Sequence, residues 1–186
     1  MRKNLGIKPY ILPMPVLIIG TYDKDGKANA MNAAWGTVCD MDKVSIYLAG
    51  EHKTVKNLLQ TKAFTVSIAD KNNVVSADYV GIVSGNKEPD KVQKAGWTAI
   101  KSQLVNAPLF KELPLTLECK LISFDSESEN CIGEIVGISA DNSILDDKGN
   151  VDYNLFNPIS YDPIHHGYYQ LGERVGKAFK DGKGIK

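Results

Sequence analysis

Two stretches of the chain combine residue types that could hold a ligand. The first is Ala28 to Gly36, ANAMNAAWG. As a strand it is unusual, because alanines and asparagines stand where β-branched and aromatic residues are enriched. Small side chains let a flat group lie close to the backbone. Asparagine amides and strand N–H groups can hydrogen-bond a heteroaromatic edge. A strand crowded by a neighbouring helix would also select alanine, so both readings stay open. The second stretch is His52-Lys53-Thr54, at the start of what reads as a helix. A helix N-terminus offers unpaired N–H groups and the positive end of its dipole. An imidazole, an ammonium and a hydroxyl added there suit a terminal phosphate, although a solvated, capped helix start has the same composition. Together the stretches describe a ligand with a flat polar ring at one end and a phosphate at the other.

Other catalytic spacings are missing. The chain has no G-x-G-x-x-G, G-x-x-x-x-G-K-[ST], H-E-x-x-H or G-x-S-x-G. The histidines are His52, His165 and His166. The adjacent pair points its rings opposite ways in an extended segment, so a turn beside Pro163 and Gly167 is expected and no metal site. Cys39, Cys119 and Cys131 are far apart, without C-x-x-C, and read as small residues inside strands of a reduced protein.

The elements that must carry these stretches are mostly strands. VLIIGTY (16 to 22) ends at Asp23-Lys24-Asp25-Gly26, a hairpin signal. The partner strand is expected from Ala28 to about Cys39, then a turn at Asp40-Met41-Asp42 and a third strand, VSIYLA, from 44 to 49. These three form a meander. Val55, Leu58 and Leu59 fall at helical spacing, with Thr54 or its neighbour as cap. A strand follows at 63 to 69, then a short helix between 74 and 83 stopped by Gly85, and another at 90 to 95. Long strands are expected at 113 to 124 and 131 to 145, with a turn at Asp146 to Gly149. Leu171, Val175 and Phe179 lie four apart, which predicts a terminal helix with one apolar face.

With 186 residues the chain is read as a single domain spanning 1 to 186, large enough to fold without staples. Hydrophobic residues make up 43% and charged residues 24%, which excludes disorder over most of the length. Twenty-two basic and 22 acidic residues cancel, so the footprint of a nucleic-acid binder or a peripheral membrane protein is missing. Pro9, Pro13 and Pro15 interrupt the apolar start, and no run approaches the ~20 residues of a membrane span, so a cytoplasmic protein is expected. Strand-dominated order with antiparallel turns points to a closed or nearly closed barrel with short helices inserted.

PVLIIGTYDKDGKANAMNAAWGTVCDMDKV, followed by HKTVKNL, resembles the flavin reductase-like family of FMN-binding split β-barrels, most closely its flavoredoxin-type branch. ADYVGIVSGNKEPDKVQKAG, APLFKELPLTLECKLI and YYQLGERVGKAF extend the resemblance over about residues 10 to 180. It implies a mainly β fold, an antiparallel Greek-key split barrel, non-covalent FMN and a homodimer with FMN near the subunit boundary. By this likeness Asn29, Asn32, Ala33, Ala34 and Trp35 line the ring and ribityl chain. His52, Lys53 and Thr54 hold the phosphate, and Ser84, Gly85 and Lys91 approach the cofactor. Trp35 either packs beside the ring or is an ordinary core tryptophan. The broader flavin reductases carry Asp-Pro-Pro where this chain has Asp40-Met41-Asp42, which favours the flavoredoxin-type branch. The resemblance implies electron transfer between NAD(P)H, FMN and acceptors, with no catalytic side chain required. Two roles are compatible with it: an NAD(P)H-dependent flavin reductase, or an electron carrier served by a redox protein partner.

Overall fold

In the computed structural model, which describes residues 1–185, the Asp23–Gly26 turn forms as its residues require. Gly26 adopts φ +78°, and Asp23 Oδ1 accepts hydrogen bonds from the N–H groups of Asp25 and Lys27. The turn joins β2 (Leu17–Tyr22) to β3 (Ala28–Ala33); a two-residue strand, β1 (Met14–Pro15), precedes them. Further along come β4 (Gly36–Asp40), β5 (Lys43–Tyr47), helix α1 (Lys53–Thr61) and β6 (Ala63–Ile68). Helices α2 (Val74–Ile82) and α3 (Lys91–Lys94) lead to the short pair β7 (Ala99–Lys101) and β8 (Pro108–Phe110). The long hairpin β9 (Leu115–Asp125) and β10 (Asn130–Ala140) follows, then helix α4 (Tyr153–Phe156) and a final hairpin, β11 (Ile159–Asp162) and β12 (Gly167–Gln170).

Seven strands form one antiparallel sheet in the order β3-β2-β6-β9-β10-β5-β4. Its two edges, β3 and β4, are consecutive in sequence and separated by Ala34 and Trp35 alone. A two-residue link spans at most about 10 Å, so the sheet has to curl until its edges meet at this corner. At the corner, Tyr47 N–H of β5 donates to the Trp35 carbonyl, extending the β4–β5 pairing into the link. The result is a half-barrel of Greek-key type, mainly β with short helices, as expected. The expected continuous strand from Ala28 to Cys39 is instead two strands on opposite edges, so the first strands form two separate hairpins and not a meander.

Strand β2 lies inside the sheet, and the two faces of its segment feed two cores. Leu17 and Ile19 join Ile46, Leu58 and Phe64 inside the curl. Val16 and Ile18 join Ala77, Val80, Trp97 and Phe110 outside it. Full burial of an isoleucine such as Ile18 or Ile19 contributes roughly 1.5–3 kcal/mol. Helix α1 buries Val55 and Leu58 in the inner core. It ends at Lys62, whose left-handed backbone (φ 56°) returns its N–H to the Leu58 carbonyl. Helix α2 packs on β3 through Ala77 and Val80. It stops at Ile82, before Gly85, because Val83 turns extended. Cys119 and Cys131 are buried free thiols in β9 and β10, pushed up to about 12 by burial; Cys39 is exposed on β4.

The expected terminal helix does not form. Residues after Gln170 run as irregular backbone up to a short 3-10 turn at Asp181–Gly184, and Val175 and Phe179 are exposed. Gly172 and Gly176 fall inside the expected helix, where each weakens it by about 1 kcal/mol. Among the described residues none covers Val175 or Phe179, and most helical stability comes from such packing.

Candidate functional site

The polar residues of β3 converge on the start of α1. His52 is the N-cap, with extended backbone and no side-chain cap of its own. The hydroxyl of Thr54 is turned away from the cap and accepts a 2.9 Å hydrogen bond from Asn29 Nδ2, both side chains being buried. Accepting this bond leaves the hydroxyl proton of Thr54 available to an acceptor. Beneath it, Asn57 of α1 donates to Thr21 Oγ1 of β2 at 3.1 Å, so a buried polar network fixes the helix start to the sheet. His52 Nδ1 is enclosed and has no hydrogen-bond partner.

Two lysines face the same place. Lys53 Nζ lies 2.9 Å from Asp23 Oδ2 in the β2–β3 turn. Burial would raise the Asp23 carboxyl, but hydrogen bonds from Lys53 and from the backbone of Lys27 and Asp25 outweigh it and hold it below its ordinary value. Lys91 is buried at the start of α3, its Nζ donating to the carbonyls of Val80 (3.0 Å) and Val83 (2.8 Å) at the end of α2. Desolvation pushes it down to about 8.

These groups enclose a small cavity of about 160 Å³, lined by Asn29, His52, Lys53, Thr54, Ser84, Gly85 and Lys91 among others. It shares Gly81 and Ile82 with a second cavity of about 310 Å³, lined by Asn32, Ala34, Asp78, Tyr161, His166 and Tyr168. Ala34 in turn borders a third of about 620 Å³ beside Trp35, Tyr47, Pro9, Ile11 and Pro13. The three cavities lie next to one another along β3 and the Ala34–Trp35 link, and their linings pass from cationic and donor-rich through polar to apolar; together they are termed the groove.

The expected residues are nearly all placed along this groove. Ala33 differs: it packs in the inner core, because its neighbours Asn32 and Ala34 take the groove face of the pleat. Trp35 is not a core residue; it is 60% exposed and lines the apolar end. The histidine pair forms a turn, as expected. His165 Nδ1 lies 2.8 Å from Asp162 Oδ2, and His166 Nδ1 lies 2.9 Å from the Tyr161 hydroxyl. Sequence reasoning missed the middle of the groove, where Tyr168 donates a 2.8 Å hydrogen bond to Asp78. A signal existed: Asp78 is the one acid in the otherwise apolar helix VVSADYVGI. It also missed Asp23 as the partner of Lys53.

The donor set fits a phosphate and the groove beyond it fits a ring. A side chain at Gly85 would run into Asn29 Oδ1, and a Cβ at Gly81 would come within 3.1 Å of Asn32 Cβ. The backbone from 81 to 85 therefore closes on β3 as a cradle. His52 and Thr54 both line the small cavity.

The structure is similar to flavoredoxin of Desulfovibrio vulgaris (Miyazaki F), with a TM-score of 0.93 and 36% identity, covering 98% of this chain and 100% of that one. It is also similar to flavoredoxin from Methanosarcina acetivorans, at a TM-score of 0.88 and 24% identity over the whole of both chains, a likeness of fold. An uncharacterized protein of Aquifex aeolicus (strain VF5) is 29% identical over 163 residues, 80% of each chain. The family model of the flavin reductase like domain matches residues 10–165. With this match over most of its length and the split barrel that carries the groove, the chain belongs to the flavin reductase like domain family.

Proposed function

We propose that the protein is an FMN-binding oxidoreductase, an NAD(P)H-dependent flavin reductase that holds FMN non-covalently in this groove. The observation that carries the reading is the meeting of Asn29, Thr54, Ser84, Gly85 and Lys91 in one anion-sized cavity open to a longer groove. The N–H groups at the start of α1, the Thr54 hydroxyl and the two lysines bind the phosphate. The close approach of 81–85 to β3 orients the chain of the ligand toward Asn32 and Ala34. Trp35 and the proline-bearing segment beside it exclude water from one end. FMN held there by these residues would supply the redox chemistry, hydride and electron transfer. The protein's share is position and electrostatics.

The 36% identity to a flavoredoxin over nearly the whole chain favours a second reading, an electron carrier served by a redox protein partner. Anaerobic mixing of the FMN-loaded protein with NADH and with NADPH separates the two. Bleaching of the flavin band at a catalytically useful rate supports the reductase; no bleaching with either donor refutes it and leaves the carrier.

The same reading includes a homodimer. It is supported by unpartnered apolar groups on both terminal arms, Ile7 and Ile11 on one and Val175 and Phe179 on the other. The apolar end of the groove, beside Trp35, is the surface they would complete.

A further inference from the structure

The C-terminal arm, from Leu171 onward, carries apolar side chains that no described residue covers. Leu171 N–H bonds the Pro158 carbonyl; beyond it Val175 is fully exposed and Phe179 is 94% exposed. Asp181 Oδ2 accepts the Lys177 N–H at 2.7 Å, so the arm closes into a turn around Phe179. The Phe179 backbone is left-handed (φ 61°), a conformation that a bulky residue keeps where its surroundings enforce it. The arm is also basic. Residues 171 to 186 hold Arg174, Lys177, Lys180, Lys183 and Lys186 against Glu173 and Asp181, a net charge of +3. The rest of the chain holds 17 basic and 20 acidic residues, a net charge of −3.

The cavity of about 620 Å³ beside Trp35 has the complementary character. Its walls are mostly apolar, and Glu129 is the single charged residue among the described ones that line it. Glu129 Oε1 accepts the Gly50 N–H at 3.2 Å, which sets Glu51 beside it, and Glu127 is exposed in the same β9–β10 turn. Trp35 and Tyr47 keep half or more of their surface open there. No residue of the arm lines this cavity, so the arm does not fill it within its own chain. Pro13 lines both this cavity and the neighbouring one that Leu171 borders, so the root of the arm stands at the edge of the seat.

We propose that the arm of one copy lies across the Trp35 cavity of a second copy, with Val175 and Phe179 against Trp35 and Tyr47, and Lys177 and Lys180 toward Glu51, Glu127 and Glu129. This rests on the homodimer reading above and adds to it the segment exchanged and its seat. Each copy offers both an arm and a seat, so the exchange is reciprocal and closes at two copies. Burying Phe179 in both directions removes roughly 300–500 Å² from water. That is about a fifth to a third of a standard interface of about 1,600 Å². The arm is therefore a main anchor of the dimer and not the whole of its interface.

The test is sedimentation of the full chain and of three variants over a range of concentrations. Phe179→Ser is expected to raise the dimer dissociation constant at least tenfold. One charge-reversed variant carries Lys177→Glu with Lys180→Glu on the arm, the other Glu51→Lys with Glu127→Lys at the seat; Glu129, which holds the Gly50 N–H, stays in place. Each reversed variant alone is expected to dissociate at least tenfold more readily than the wild type. Mixed in equal amounts, the two are expected to recover a dimer with one copy of each, because both arm-to-seat contacts are then again between opposite charges. Melting temperatures of the separate variants verify that they fold. If the wild type is a dimer and Phe179→Ser leaves its dissociation constant unchanged, the arm seat is refuted while the homodimer stands. If the two reversed variants do not pair with each other in preference to themselves, the seat is likewise refuted. If the wild type is a monomer throughout, the homodimer and the arm seat are refuted together.

Discussion

Asn29 Nδ2 and Thr54 Oγ1 are 2.9 Å apart, and through them the edge strand β3 carries the first turn of α1. The bond links the two stretches in which ligand chemistry is visible in the sequence, and it ties the phosphate end of the groove to the strand that runs along the rest.

Thr54→Ala should therefore act on stability and binding at once. It leaves the buried Asn29 amide with its longer 3.5 Å contact to Thr21, and an unsatisfied buried donor costs about 1–3 kcal/mol. Thermal denaturation should show that loss. FMN affinity should fall at least tenfold and riboflavin affinity much less, while Thr54→Ser should restore both.

Lys91 makes the site pH-dependent. Its ordinary value is 10.5 and burial lowers it to about 8, so between these pH values the unfolded chain binds more protons than the native one. Stability of the ligand-free protein should then gain from Lys91 as pH rises from about 8 toward 10.5. Binding runs the other way, because a phosphate needs the charged amine. FMN affinity should weaken as pH climbs through 8, riboflavin affinity should not, and Lys91→Met should remove the difference. Equal pH profiles for the two ligands would contradict this role.

Asp23 competes with the ligand for Lys53. Asp23→Asn keeps an oxygen for the turn N–H groups of Asp25 and Lys27 but removes the charge that holds Lys53 at 2.9 Å. Titration should show tighter FMN binding and unchanged riboflavin binding. Weaker FMN binding would mean that Asp23 positions Lys53 and does not restrain it.

Residues 172 to 185 are all exposed, so removing the arm from 172 onward should leave the melting temperature of a monomer unchanged. Sedimentation of the full chain at low micromolar concentration should give a dimer. A stable monomer with full FMN affinity would refute the proposed assembly.

What was legible in the sequence divides along physical lines. Local chemistry was readable: the Asp-Gly turn demanded a positive φ, and Val55 and Leu58 declared the buried face of α1. Long-range closure was not. Nothing in Ala34-Trp35 says that a strand ends on one edge and resumes on the other, because that break is set by the curl of seven strands. The spacing of Leu171, Val175 and Phe179 met the helical pattern, yet a pattern states which positions agree and not whether a surface waits for them. At the site, residue types marked the cationic end through Lys53, Thr54 and Lys91. Partners such as Asp23 for Lys53, or Asp78 for Tyr168 ninety residues away, follow from tertiary packing alone.

The central claim is that FMN is held by its phosphate at the start of α1, with the ring further along the groove. Titrating the ligand-free protein with FMN and with riboflavin, following quenching of flavin fluorescence, tests it most directly. The account predicts saturable binding of both, with FMN at least tenfold tighter, since each charge-assisted contact is worth roughly 1.5–3 kcal/mol. Failure to take up FMN, or equal affinity for the two ligands, would contradict it.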